Sequence, residues 1–261
     1  LGHRARDAGA RIRLGVEADI FTETSNAVEV SFTDGSQASY DLVIGADGLY
    51  SKTRTQLFPD AAKPLFTGQG VWRYNFPRAA DVNSLQAYEG RIGMGLVPLS
   101  SEVMYLYITS PEPGNPHYER KGLAAHMRAK LTDAPERIRT LAADITDDAE
   151  VVYKPLECIF IEGDWHRGRI VLLGDAVHAS TPHLGQGAGM AIEDGIVLAE
   201  ELLQAETPQE AFPRYQARRM PRCRYIVEAS KAIGDSQLGL APPVDQSRVV
   251  HEMFQIIAAP I

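Results

Sequence analysis

The sequence predicts an α/β fold in which a mostly antiparallel β insertion interrupts a domain built on parallel strands, with helices toward the C-terminal end. Three observations carry this. "DLVIG" at 41–45 and "RIVLLG" at 169–174 are continuous apolar runs, the pattern of strands buried on both faces beneath helices. Between about 66 and 111 the chain instead alternates apolar and polar residues between glycines and prolines, as an antiparallel sheet with one covered face does. From 187 onward apolar residues recur at helical spacing.

Taken in order, residues 1–14 read as the end of a helix closing at Gly9 and then a short strand, "ARIRLGV". The stretch from 18 to 48 reads as a β-meander, because Ser25-Asn26 and Asp34-Gly35 punctuate alternating runs. Three alternating segments follow, "QGVWRYNFPR", "LQAYEGRIGMGLVPL" and "EVMYLYITSP". In the first of them Trp72, Tyr74 and Phe76 share one face and Arg73 takes the other. "PEPGNPHYERKG" is a loop, and 119–146 holds two helices separated at Asp133-Ala134-Pro135. "VVYKPLECIFIEGDWHRG" is a strand plus a connection whose Trp165 and His166 read as surface. A helix over 187–205 with Ile192, Ile196, Leu198, Leu202 and Leu203 apolar, and a basic helix from about 208, complete the chain.

The bulk properties exclude several classes of function. A net charge of -8 and a pI near 5.4 argue against a nucleic-acid surface or a polybasic membrane patch, so small molecules or other proteins are the expected partners. Cys158 and Cys223 are too few and too far apart for a disulfide scaffold, and no metal-ligand spacing is present, so no metal is expected. No apolar run reaches the ~18 residues of a membrane span. A reducing, cytoplasmic compartment is the expectation. The chain starts without Met inside what reads as a helix, so a preceding segment is expected as well.

Two constellations carry chemistry. In "RIVLLGDAVHASTPHLGQGAGMAIED", Asp175 stands just past a buried strand, where open α/β sheets bind ligands. Gly174 allows close approach, Pro182 stiffens the connection, and Gly185-Gln186-Gly187-Ala188-Gly189 opens a helix whose free N–H groups suit an electron-rich or anionic partner. In "DLVIGADGLYSKTR", Asp47 and Gly48 end a strand beside Ser51 and Arg54, which suits a pyrophosphate and ribose. For each there is a plain alternative: a tight strand-to-helix turn at Asp175, and a helix start capped by Asp47 and Ser51 with Arg54 in a surface ion pair.

These motifs, in this order, resemble the FAD-dependent aromatic hydroxylases, the single-component flavoprotein monooxygenases that include p-hydroxybenzoate, salicylate and 6-hydroxynicotinate hydroxylases. "GADGLYSKTR" is similar to that family's DG motif, "RIVLLGDAVHASTPHLGQGAGMAIEDG" to its GD motif and flavin loop, and "YQARRMPR" to its C-terminal helix. The resemblance spans essentially the whole chain and is specific in the motifs, but vague over 60–150. It implies a Rossmann-like FAD-binding domain of the glutathione-reductase type in two pieces, 1–62 with the DG motif and 157–206 with the GD motif and flavin loop. A substrate domain at 63–156 and a C-terminal helical segment at 207–261 complete that division.

By the same resemblance Asp175 would bind the ribityl or ribose hydroxyls of FAD, and residues 185–189 would set backbone N–H groups against the N1/O2 edge of the flavin. Pro182 and His183 would lie near the reacting face. Asp47, Gly48 and Arg54 would lie near the pyrophosphate and the approach of NADH or NADPH. If the sheet at 66–111 roofs the site, Trp72 or Tyr74 would stack on a small aromatic substrate, Tyr74 within reach of the chemistry, the plain alternative being that this stripe is core; His178 would be structural. The implied reaction is hydroxylation of a phenol, hydroxybenzoate or hydroxypyridine by O₂ through a flavin hydroperoxide, by a monomer or homodimer. A reductase or dehydrogenase of the same fold is the enzymatic alternative. The family's opening βαβ unit with its GxGxxG turn is not found in these residues, so a non-catalytic chain that needs that unit is the other alternative.

Overall fold

The computed structural model describes residues 1–88 and 92–261. Residues 89–91 of the alternating run at 85–99 lie outside the described residues. The first helix, α1 (Gly2–Asp7), closes as the sequence indicates: Gly9 at φ 96° donates to Arg6, and Ala10 donates back to Ala5. The strand expected over "ARIRLGV" is not formed; residues 10–16 have no sheet partner and are almost entirely exposed. An apolar residue at every second position needs a neighbouring strand to become sheet, and the meander supplies none on that side.

The meander follows as β1 (Ala18–Glu23), β2 (Val28–Phe32) and β3 (Gln37–Tyr40), paired antiparallel in that order. The turn between β2 and β3 has Gly35 at φ 82°, a conformation open to glycine, and the Asp34 carboxylate accepts from the Ser36 N–H at 3.0 Å. Only β2 sends side chains fully inward, through Val28 and Val30.

β4 (Val43–Gly45) runs parallel to β11 (Ile170–Leu172), the pairing expected of the two apolar runs, and α2 (Lys52–Leu57) follows β4. β11 is buried throughout. β4 departs from expectation: it is half-buried at Val43, and Ile44 is 43% exposed, so it is covered on one face only. A short two-residue strand, β10 (His166–Arg167), pairs antiparallel with the far side of β11.

The insertion is a five-stranded antiparallel sheet of β5 (Leu65–Pro77), β6 (Gln86–Tyr88), β7 (Gly93–Pro98), β8 (Val103–Pro111) and β9 (Val152–Cys158), in spatial order β6-β7-β8-β5-β9. The helices α3 (Leu123–Ala129) and α4 (Glu136–Ala142) cover one of its faces, and Trp72, Tyr74, Phe76, Met94, Leu96, Leu106 and Ile108 interlock there with Leu123, Met127 and Ile138. The register fixes the opposite face. Arg73 lies across from Tyr107, Tyr107 across from Gly95, Val71 across from Thr109, and Thr109 across from Gly93.

The remaining chain folds as α5 (Asp175–His178), a single 3-10 turn (Pro182–Leu184), α6 (Gly187–Gln204), α7 (Pro208–Gln237) and α8 (Gln246–Ala258). On α6, Leu198 and Val197 face the core, while Ile192, Ile196 and Leu203 are exposed. α7, about 45 Å long at helical rise, packs Phe212, Tyr215 and Ile226 into the first core and reaches β5 with its last turns. Trp165, expected on the surface, is fully buried: its indole N–H donates to Ile161 O at 2.9 Å and its ring lies 5.9 Å from that of Tyr215. The glycines and charges around it give the segment a surface composition, yet a side chain this large is the piece that fills the gap beneath α7.

Candidate functional site: a glycine-opened helix beside a free carboxylate

Strand β11 delivers the chain to Gly174, which takes φ 59° and ψ -140°, a conformation denied to residues with a Cβ. A Cβ there would also lie 3.0 Å from that of Ala191, so Gly174 lets the strand end abut the first turns of α6. The next residue, Asp175, opens α5 and is exposed. Among the described residues its carboxylate has no hydrogen-bond partner, which leaves both oxygens available to hydroxyl donors.

Across this contact stands the start of α6. The first helical bond runs from Met190 N to Gln186 O at 2.9 Å, so the N–H groups of Gly187, Ala188 and Gly189 precede any intrahelical acceptor. Ala188 and Gly189 are exposed, and Gly187 is half-buried. Gly185 holds φ 67° at the end of the 3-10 turn and thereby directs the loop into the helix, with Gln186 folding its amide back onto Leu184 O at 3.3 Å. Free amides, a helix dipole and an unpaired carboxylate thus share one edge, a donor set that fits an electron-rich ring edge and a polyhydroxylated chain.

A buried ionic cluster holds this edge in place. Asp194 of α6, fully buried, accepts from Gly174 N at 2.8 Å, from His178 Nε2 at 2.6 Å and from Arg219 Nε at 2.8 Å. Arg219, also fully buried, further donates to Glu193 and to Met190 O. Burial opposes charge on the His178 imidazole, but the Asp194 carboxylate beside it overrides burial and lifts its pKa to about 10. His178 is therefore held as the buried ion-pair partner of Asp194. Cys223 brings a thiol close to His178 and Asp194, but the Arg219 guanidinium already supplies the cation that a metal would bring. Asp194 and Arg219 were invisible to sequence reasoning, since charged residues on helices read as solvated.

The DG segment turns out differently from the ligand role expected of it. Asp47 accepts from Ser51 Oγ at 2.5 Å and from both Thr53 N and Thr53 Oγ1 at 2.9 Å, while Ser51 accepts from Arg54 N at 2.8 Å. Burial works to raise the Asp47 carboxyl, and these bonds outweigh it and hold it below the usual range. Asp47 and Ser51 thus cap α2, the plain alternative. Gly48 sits at φ 81° with open space about it. Arg54 is a correction: it is 4% exposed, with its guanidinium on Ala176 O at 2.7 Å and Leu49 O at 2.8 Å. Desolvation drives a buried cation onto carbonyls, so here it ties α2 to α5 and does not present itself to a phosphate.

Trp72 and Tyr74 take the core position that was the plain alternative, and the substrate-stacking role is corrected. Trp72 is fully buried, donating its indole N–H to Ser110 Oγ at 3.0 Å and Glu112 Oε1 at 3.1 Å, with the rings of Tyr118 and Tyr153 within 4.9 Å. Tyr74 packs beside Phe76, 5.1 Å between centroids. Both point into the core under α3 and α4, away from the face of the sheet that meets the flavin loop. That face is marked by Gln69 and Thr109, which contact Gln237, itself 3.3 Å from His183 Nε2. Pro182 is exposed at the head of the 3-10 turn, and both nitrogens of His183 are engaged, Nδ1 with Thr181 Oγ1 at 2.9 Å. No helix of the described residues is long and apolar enough to cross a membrane.

Comparison with known proteins shows the family. Residues 1–230 match the FAD binding domain family. The chain is 27% identical over 256 residues to the putative FAD-dependent monooxygenase YetM of Bacillus subtilis, covering 97% of this chain and 69% of the relative. It is 32% identical to the 2-heptyl-3-hydroxy-4(1H)-quinolone synthase of Pseudomonas aeruginosa, covering 86% of this chain and 59% of that enzyme. Among solved structures, HpxO of Klebsiella pneumoniae in complex with FAD and uric acid superposes with a TM-score of 0.86 at 26% identity, over 99% of this chain and 70% of HpxO. The chain therefore spans 59–70% of the length of these relatives. It belongs to the FAD binding domain family, among flavoprotein monooxygenases, with FAD as its cofactor.

Proposed function

We propose that this chain is the flavin- and substrate-binding part of an NAD(P)H-consuming monooxygenase that hydroxylates a small, electron-rich aromatic compound. The observation that supports this most is the free Asp175 carboxylate set against the unbonded amides of α6. In this reading Asp175 accepts from the hydroxyls of the cofactor's sugar or ribityl chain. The amides of 187–189 face the electron-rich edge of the isoalloxazine, where the helix dipole favours the negative charge of the reduced ring. Bound FAD supplies the two-electron chemistry with O₂. The overall balance is ArH + O₂ + NAD(P)H + H⁺ giving ArOH + H₂O + NAD(P)⁺.

The substrate then lies against the sheet face opposite the Trp72 core. Arg73 is exposed there with its guanidinium 5.8 Å from the Tyr105 ring, and Tyr107 lies over Gly95, where a Cβ would come within 2.5 Å of its ring. A cation beside two phenols on a glycine floor suits a planar ring bearing a carboxylate or phenolate. The relative in Klebsiella pneumoniae binds uric acid, a planar electron-rich ring of this kind.

The test is NADH or NADPH oxidation and O₂ uptake by the FAD-reconstituted chain against a panel of hydroxybenzoates, hydroxypyridines and urate. A substrate that stimulates both and gains one oxygen by mass supports the reading. Oxidation of reduced nicotinamide that no aromatic compound stimulates points to a reductase instead.

A further inference from the structure

We infer that Gln237 is a positioning residue that ties the flavin loop to the substrate sheet and fixes the tautomer of His183. Gln237 is the last residue of α7 and lies beyond the 1–230 span matched to the family. Its Oε1 meets donors from three separate elements: Gln69 Nε2 of β5 at 2.9 Å, Thr109 Oγ1 of β8 at 3.3 Å, and His183 Nε2 of the 3-10 turn at 3.3 Å.

The orientation of the two amides carries the assignment. With Gln69 donating through Nε2 as it stands, reversing the Gln237 amide alone would set two NH₂ groups face to face. In this orientation the Gln237 oxygen can only accept, so His183 carries its proton on Nε2. The neutral ring then accepts through Nδ1 from the Thr181 hydroxyl, 2.9 Å away. Burial keeps His183 below its ordinary pKa, opposed by the bond to Gln237 and by the charge of Asp235, which Lys231 neutralises on the same helix.

Two further observations place this contact under constraint. A Cβ at Gly234 would lie 2.8 Å from Gln69 Oε1 and 3.1 Å from His183 Cε1, so α7 reaches both only because that residue is glycine. Gln69 is fully buried, and its Oε1 has no partner among the described residues. Polar groups of the sheet, the helix and the loop thus converge on one small volume beside the flavin loop. Displacing β5 or β8 moves the acceptor on which the His183 ring depends. The assignment concerns the chain's own residues and stands independently of the substrate's identity.

Long-range ¹H–¹⁵N spectra of the imidazoles in the intact, ¹⁵N-labelled chain test it, with His183 assigned through His183→Gln. The wild type is expected to hold neutral His183 as the Nε2–H tautomer by about tenfold, the worth of one good hydrogen bond. In Gln237→Leu that ratio should fall to the weaker intrinsic preference of a free neutral histidine for Nε2–H. Thr109→Val should shift the His183 signals in the wild-type background and leave them in place in the Gln237→Leu background. Gln237→Glu, nearly isosteric, retains the acceptor, keeps the tautomer and raises the His183 midpoint; it carries the test should Gln237→Leu fail to fold. An Nδ1–H tautomer in the wild type, an unchanged ratio in Gln237→Leu, an unmoved midpoint in Gln237→Glu, or equal Thr109→Val shifts in both backgrounds would each overturn the inference.

Discussion

Two buried carboxylates organise the two halves of this chain, and they differ in what they hold. Glu112, 1% exposed, sits behind the substrate sheet and accepts from Trp72, Ser110, Tyr118 and Lys130, the last at 2.8 Å. All its partners belong to one core, and one of them, Lys130, reaches solvent. Asp194 accepts from a backbone amide, an imidazolium and a guanidinium that come from the strand end, from α5 and from α7. The first stitches a sheet to its own helices. The second sets the position of the residue before Asp175 and of the helix whose amides are proposed to face the cofactor.

That difference predicts a ranking. Asp194→Leu strips His178 of its carboxylate and leaves Arg219 with Glu193 alone, and a loss of about 3–5 kcal/mol is expected in chemical denaturation, enough to unfold many domains. Glu112→Leu should cost less, about 1–3 kcal/mol, because Lys130 can turn to water while only the neutral donors of Trp72, Ser110 and Tyr118 lose their acceptor. If the two losses come out equal, the distinction drawn between the clusters is wrong.

The same comparison can be sharpened with pH. His178 is raised by Asp194 from its ordinary value of 6.5 to about 10. A group raised in the folded state gives stability that is fully present below its unfolded pKa and is lost as pH rises through its folded one. The contribution is therefore whole below about pH 6.5 and gone near pH 10. Denaturation midpoints taken across that window should fall in the wild type and flatten in His178→Gln. Glu112→Gln should leave the slope intact, since among the described residues no imidazole bonds to Glu112.

The smallest stability effect belongs to the residue proposed to bind the cofactor's hydroxyls. Asp175→Ala should alter stability by no more than about 0.5 kcal/mol, because its side chain is exposed and bonds to nothing among the described residues. A large loss there would mean that Asp175 is a structural cap, as the plain reading of its turn has it.

Much of this arrangement was legible in the sequence where the signal is local. A pure apolar strand, a glycine that tolerates φ 59°, an acid and a glycine-opened helix are each written within a few residues, and β11, Gly174, Asp175 and α6 stand as expected. The parallel pairing of β4 with β11 was equally readable from two apolar runs. Period-two alternation put Trp72 and Tyr74 on one face but is silent about which face looks toward the flavin loop, and that choice went the wrong way. Hubs such as Asp194, Glu112 and Gln237 join residues distant in the chain, so nothing in their neighbourhood marks them. Ile44 continues an apolar run that reads as doubly buried, yet among the described residues nothing covers its outer face.

The account rests most directly on Asp175 and the α6 amides forming a flavin cradle. The measurement is the visible spectrum of the purified chain titrated with FAD, beside Asp175→Ala. Resolved flavin bands and saturable binding in the wild type, weakened roughly tenfold or more in the variant as for loss of charge-assisted hydrogen bonds, are the predicted result. Identical titrations, or FAD left free by both proteins, would contradict it.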